Sequence, residues 1–262
     1  MGETVAFVSQ KGGTGKTTAV RTLFDIFERL GLRALAVDLD PQGNLSDYFD
    51  LPTRAKPTVG DVLLDRAKVE EAVDREVIPA NLGLAEAELI LGSMTGREMA
   101  LQRALGDLKE SYDLVLVDCP PSLGLLTINA LVAADCVVVS AQAQYFALQG
   151  VEQALEVIEL TKQNLQPDLE WLGVVPNMCD IRTVHARQAL EHLRERFGDK
   201  LFDSVIRQSI RYAESSERGV SILDHASSIG SDYLDFAQEL LTLLGHDRST
   251  DIQNLQTKLA TR

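Results

Sequence analysis

Cysteine is scarce in this chain of 262 residues: Cys119, Cys136 and Cys179 are odd in number and each lies in an apolar setting. That excludes a disulfide framework and reads as reduced thiols. No apolar run approaches the ~20 residues of a membrane span. No basic-plus-apolar leader is present either, since Met1-Gly2-Glu3-Thr4 passes almost at once into an apolar run. A cytoplasmic protein with no membrane partner is expected. Internal repeats, low-complexity tracts and long linkers are missing, and no segment ahead of the first apolar run offers a helix-turn-helix for operator binding. Positive charge is in the minority, with 25 Lys and Arg against 39 Asp and Glu and a net charge of −14. Sequence-independent nucleic-acid binding rests on phosphate neutralisation, so the whole surface opposes it, although a local basic patch does not conflict with that total.

Against these absences stands Lys11-Gly12-Gly13-Thr14-Gly15-Lys16-Thr17-Thr18, between the apolar run Val5-Ala6-Phe7-Val8 and a helical pattern. Strand, glycine turn and helix N-terminus are the context of a phosphate-binding loop. Glycines let backbone N–H groups approach an anion, and the following helix points further N–H groups at the same place. Lys16 is expected at the β- and γ-phosphates and the Thr17 hydroxyl on Mg²⁺. Lys11 is a second lysine at the start of the loop, and the glycines behind it favour a role toward phosphate.

Two further apolar runs end in acids. Arg33-Ala34-Leu35-Ala36-Val37-Asp38 continues into Leu39-Asp40-Pro41-Gln42-Gly43-Asn44, and Tyr112-Asp113-Leu114-Val115-Leu116-Val117-Asp118 into Cys119-Pro120-Pro121. Strand-terminal carboxylates lie at the sheet edge where open α/β sheets bind ligands. An aspartate such as Asp118 suits a position just beyond the water shell of a nucleotide-bound Mg²⁺. Cys119 beside it reads as a metal neighbour or as a small core residue.

Lys11 to Thr18 resembles the deviant Walker A loop of the ParA/Soj partition ATPases, Asp38 to Asn44 their first switch, and Asp118 to Pro121 their Walker B segment and second switch. Tyr145-Phe146-Ala147-Leu148-Gln149-Gly150 also resembles that family, and the likeness runs from about Thr4 to about Leu244. The Asp-Pro-Gln-Gly-Asn form is less like the division-site regulator MinD. The resemblance implies an ATPase with ATP and Mg²⁺ as ligands. In it Lys11 crosses a nucleotide-sandwich homodimer to the partner's phosphates, and Lys16 is the P-loop lysine. Thr17 ligates magnesium, Asp40 positions the attacking water beside the metal, and Asp118 is the outer acid. It further implies a ParB-like or other adaptor that stimulates slow hydrolysis, and non-specific binding of chromosome or plasmid DNA by the ATP dimer, which would make the protein nucleoid-associated.

Strand and helix patterns alternate, which predicts a single-domain, doubly wound, mostly parallel sheet with helices on both faces over 1–244 and a polar tail over 245–262. Helices are expected near 16–30, 59–66, 86–92, 96–110, 124–133, 147–163, 183–197 and 230–244. Strands are expected near 33–38, 82–85, 135–141, 170–175 and 203–206, besides those of the two motifs above. The tail carries one helical stripe, Ile252, Leu255 and Leu259, and reads as a frayed helix in reach of a partner. A MinD-like membrane anchor needs a wider apolar face.

Asn177 stands at the strand end Gly173-Val174-Val175-Pro176, where its amide matches adenine's donor and acceptor pair. It equally suits a turn before a helix capped by Asp180 or Thr183. Between Asp180 and Val220 eight basic residues mix with seven acids, a pattern common on solvated faces. Val205 to Arg211 corresponds to the family's Ile-Pro-Arg-x-x-Arg segment, with Arg207 where proline is usual and Gln208 where an arginine is usual. Ala226 to Ser231 lacks the arginine common before the last helix. Arg207, Arg211 and Arg218 are the DNA-contact candidates. An ATP-bound scaffold that positions a non-DNA cargo is the alternative. The same loop type occurs in nitrogenase-like iron proteins and ATP-dependent ligases, but no cysteine pair matches the cluster positions of the former.

Overall fold

Strand β1 (Glu3–Val8) opens the computed structural model, which describes residues 2–52, 57–144 and 147–260. A glycine turn leads from it into α1 (Lys16–Arg29), whose Val20, Leu23, Phe24 and Phe27 recur at helical spacing and are buried. Then come β2 (Ala34–Asp38), α2 (Asn44–Tyr48), α3 (Val59–Leu63), α4 (Val69–Ala72), β3 (Val77–Ile78), α5 (Gly83–Leu91) and α6 (Ala100–Leu105). The second half runs β4 (Leu114–Asp118), α7 (Leu125–Ala133), β5 (Cys136–Gln142), α8 (Ala147–Asn164), β6 (Glu170–Asn177) and α9 (Val184–Phe197). It closes with α10 (Arg211–Glu217), α11 (Ile222–His225), α12 (Ser227–Leu243) and α13 (Ser249–Ala260).

Six strands form one sheet in the order β3-β2-β4-β1-β5-β6, and every pair is parallel. The chain moves to one side of β1 for β2 and β4 and to the other for β5 and β6. That reversal opens a crevice at the carboxyl end of β1, the ligand position of a doubly wound sheet. Alternation along each strand feeds two cores. Ala6, Val8, Val115 and Val117 pack with residues of α3, α5, α7 and α8. Val5, Phe7, Leu114 and Leu116 pack with α1 and α12 on the other face.

Several boundaries differ from the sequence expectation. The strand near 82–85 is absent; those residues start α5, and the strand lies earlier, at Val77–Ile78 beside β2. Leu84, Ala87 and Leu91 are buried at helical spacing, a periodicity that a four-residue apolar run cannot disclose. The helix expected over 96–110 is a 3₁₀ turn at Arg97–Met99, then α6, then a 3₁₀ stretch from Gly106, where positive φ breaks the α-helical run. The strand near 203–206 is reduced to isolated bridges, Leu201 to Val174 and Arg207 to Cys179, with Phe202 and Ile206 donating N–H to the carbonyls of Val174 and Pro176. Gly173 permits this approach: a Cβ there would lie 2.5 Å from the Lys200 carbonyl oxygen. Within the tail, the described residues from Ser249 to Ala260 form a helix that packs on the fold. Ile252 and Leu259 of α13 are buried in the core that α1 and α12 share, with Leu255 packed against it. Tyr145 and Phe146 lie outside the described residues.

Candidate nucleotide site

The carboxyl ends of β1, β2 and β4 converge on the crevice. Lys16 is the first residue of α1 and is buried at 6 % exposure, whereas Lys11, Gly12 and Gly13 are exposed at the outer lip of the loop. The two lysines thus occupy the inner and outer sides of one phosphate cradle. Gly15 has φ +82°, and a Cβ there would lie 2.6 Å from Asn177 Nδ2, so the loop needs glycine for both conformation and space.

A polar floor sets the shape of the loop. The Ser9 hydroxyl donates to the Lys11 carbonyl at 2.8 Å, lies 2.9 Å from Thr14 Oγ1 and accepts from Lys16 Nζ at 2.8 Å. Ser140 Oγ donates to the Thr14 carbonyl at 2.8 Å, and Asn177 Nδ2 to the Gly15 carbonyl at 3.3 Å. Asn177 Oδ1 accepts from Met178 N at 2.8 Å, and the side chain is 1 % exposed. Its amide therefore braces the P-loop and, in this arrangement, has both ends engaged within the protein; of the two readings the sequence allowed, the structure bears out the turn ahead of a helix that Thr183 caps. Thr183 caps α9 by accepting from Ala186 N.

Asp38 and Asp118 are register partners on adjacent strands, and both are fully buried. Asp38 is satisfied. It accepts from Ser46 N at 2.9 Å, Ser46 Oγ at 2.7 Å and Asp40 N at 3.1 Å, and so pins α2 beneath the first switch. Neither oxygen of Asp118 has a hydrogen-bond partner among the described residues. The Thr17 hydroxyl is near enough to favour its charged form without completing a bond of normal geometry. Burial first, then the neighbouring Asp38 charge, push Asp118 up to about 8, and burial pushes Asp38 to about 6 against its three donors. Lys16 is lowered by burial, an effect that Asp118 opposes most strongly. Asp40, at the mouth, accepts from Gln42 N at 3.0 Å and acts electrostatically on both Lys16 and Asp118. Burial first, then the neighbouring Asp118 charge, push the Cys119 thiol up, and the side chain packs in the core with Val115 and Val117.

No group of three His, Cys, Asp or Glu able to hold a metal occurs among the described residues. A protein-built cation cage is therefore not what this crevice offers. An orphaned buried carboxylate beside a threonine hydroxyl at a phosphate cradle fits Mg²⁺, which keeps several waters and takes few protein ligands.

The proposed DNA-contact arginines lie away from this floor. Arg207 is engaged by Asp232 at 2.7 Å and by the Ser228 carbonyl at 2.9 Å, which ties the 203–210 segment to α12. Arg211 pairs with Glu214 at 2.8 Å. Arg218 is exposed just past α10. Ser9, Ser140 and Ser46 brace the loop and Asp38, and sequence reasoning missed them because a lone serine after a strand, within a strand or within a helix carries no spacing signal.

Fold and crevice together define a P-loop nucleotide-binding protein of the deviant Walker A kind. A family profile described as an AAA domain matches residues 2–171. The sporulation initiation inhibitor protein Soj of Bacillus subtilis is 40% identical over 249 residues, covering 92% of this chain and 98% of its own length. The chromosome partitioning protein ParA of Caulobacter vibrioides is 38% identical, covering 91% and 93%. A solved structure, cobyrinic acid a,c-diamide synthase from Mycobacterium smegmatis with bound ATP analog and magnesium, superposes with a TM-score of 0.83 at 36% identity, covering 92% and 94%. The chain belongs to the ParA/Soj family of chromosome-partitioning ATPases. It is an ATPase. No helix among the described residues is long and apolar enough to cross a membrane.

Proposed function

We propose that this ATPase is a nucleotide-switched positioning protein, which closes as a homodimer around two MgATP, hydrolyses them slowly and reopens. The observation that carries the reading is the division of labour between the loop's lysines: Lys16 sits inside the cradle, and Lys11 sits on its outer lip, where a second subunit's phosphates would meet it. Lys16 neutralises the β- and γ-phosphates of its own nucleotide, and the backbone N–H groups from Gly12 to Thr18 hold their oxygens. Thr17 and Asp118 are the residues that would hold magnesium, with Asp40 beside it; when bound, the ion spreads the charge that builds on the phosphate oxygens. Asp40, at the crevice mouth, orients the attacking water. The chromosome-partitioning name of the Caulobacter relative supports a chromosome as cargo; plasmid DNA as the other cargo, a ParB-like adaptor and a cytoplasmic, nucleoid-associated location complete the proposal.

DNA contact would come from the α10 region. Arg218 is its exposed candidate, and Arg207 and Arg211 reach DNA only by leaving Asp232 and Glu214. That engagement, with the net charge of −14, favours a second reading: an ATP-bound scaffold for a non-DNA cargo. Retention of the protein on random-sequence duplex, with ATP and with ADP across a salt series, separates the two. Partition function on DNA predicts ATP-dependent retention that falls steeply with salt. No retention with ATP at low salt, together with ATP-dependent assembly, supports the scaffold.

A further inference from the structure

Ser9 ends the stretch that leads out of β1, is 3 % exposed, and contacts the loop at three points, with Lys11, Thr14 and Lys16. A hydroxyl has one proton and two lone pairs, and here all are assigned. The Lys11 carbonyl can only accept, so it takes the Ser9 proton. The Lys16 ammonium can only donate. The remaining lone pair therefore accepts the Thr14 hydroxyl, and Thr14, 4 % exposed, is fixed from the other side by Ser140 on its carbonyl. One oxygen knots together residues 11, 14 and 16 of the loop.

This knot explains a contact that is missing. Asp118 is the charge that acts most strongly on Lys16, is fully buried, and has no hydrogen-bond partner among the described residues. Left to electrostatics, a buried ammonium closes on a buried unpaired carboxyl, and its approach holds that carboxyl in the ionised form. In the structure the ammonium is instead on Ser9, at 2.8 Å. We infer that Ser9 is a positioning residue for nucleotide binding: its hydroxyl parks the Lys16 ammonium in the phosphate cradle and keeps it off the Asp118 carboxylate until phosphate takes it over. Arrival of the γ-phosphate moves Lys16 from a neutral oxygen to an anionic one, so no ion pair has to be broken for ATP to bind. The inference needs only nucleotide binding at this loop, and it stands or falls separately from dimer closure and DNA.

The test is ATP affinity of the full chain, measured with a fluorescent ATP analogue in EDTA so that the metal role of Asp118 does not enter. Ser9→Ala should raise Kd about tenfold, and Ser9→Thr, which keeps the hydroxyl, should stay within about twofold of the native chain. In an Asp118→Asn background Lys16 has no carboxylate to fall onto, so Ser9→Ala should change Kd by less than about twofold. A merely structural loop knot would weaken binding equally in both backgrounds, and that result overturns the proposal, as does an unchanged Kd for Ser9→Ala in the native background. If Ser9→Ala fails to fold, the isosteric pair Ser9→Thr and Ser9→Val gives the same comparison, with Val expected to behave as Ala.

Discussion

Asp118 shows most plainly how one residue links stability to function. Its proton affinity is raised to about 8 from an ordinary 3.8 by burial and by Asp38, with Lys16 and the Thr17 hydroxyl opposing and Asp40 adding to the rise. The native state then keeps a proton that the unfolded chain has released, so between about pH 4 and pH 8 stability of the nucleotide-free protein falls as pH rises. The slope is on the order of 1 kcal/mol per pH unit for one retained proton. Asp118→Asn should flatten that slope and raise the melting temperature at pH 8 while weakening Mg²⁺-dependent ATP binding; thermal denaturation across pH checks it. At the loop, Gly15→Ala meets both a φ of +82° and the Asn177 amide at 2.6 Å, and should cost roughly 1 to 3 kcal/mol in denaturant unfolding. Residues tied to motif spacing, Lys11 to Thr18 with Asp40 and Asp118, could be proposed as site residues from the sequence. Ser9, Ser140 and the bracing role of Asn177 could not, since each acts through a contact made across the fold.

Elements tell a similar story. Long helices and buried strands were legible because their periodicity repeats often enough to be read. By contrast α2, α4, α10 and α11, at four to seven residues, span too few turns for a period to show, and β3 has only two residues. One of these short pieces is firmly anchored. Tyr48, at the end of α2, is buried with its hydroxyl 2.7 Å from Ser215 Oγ on α10, and Ser215 Oγ donates to the Tyr212 carbonyl at 2.9 Å. Ser215 has spent its proton on that carbonyl, so Tyr48 is the donor. Ser215→Ala leaves a buried tyrosine hydroxyl without its acceptor and should destabilise the protein by about 1 to 3 kcal/mol in urea unfolding, with Tyr48→Phe in the same background restoring part of the loss. For α13, the apolar stripe was visible but its destination was not, because a single stripe fits a partner as well as the parent core. Ile252 is fully buried, so Ile252→Ala should cost about 2 to 5 kcal/mol, and a change below about 0.5 kcal/mol would mean that the helix is undocked in solution.

The whole molecule was legible as an α/β fold with its site at the carboxyl edge, and the sheet is parallel throughout. Its charge distribution was not: a count of eight basic and seven acidic residues over 180–220 could not say which arginines the fold would pair. Asp232 and Glu214 take Arg207 and Arg211, so any DNA contact depends on a rearrangement or on Arg218 and other exposed cations. The central claim is that two subunits grip each triphosphate, with Lys11 serving the neighbour's ligand. Light scattering coupled to size exclusion on Asp40→Ala, with ADP and with ATP plus Mg²⁺, tests it directly, run beside an Asp40→Ala/Lys11→Ala chain. A monomer with ADP, a stable dimer with ATP, and a monomer with ATP once Lys11 is removed are the predicted results; a monomer under all conditions, with ATP still turned over by the native chain, would contradict the account.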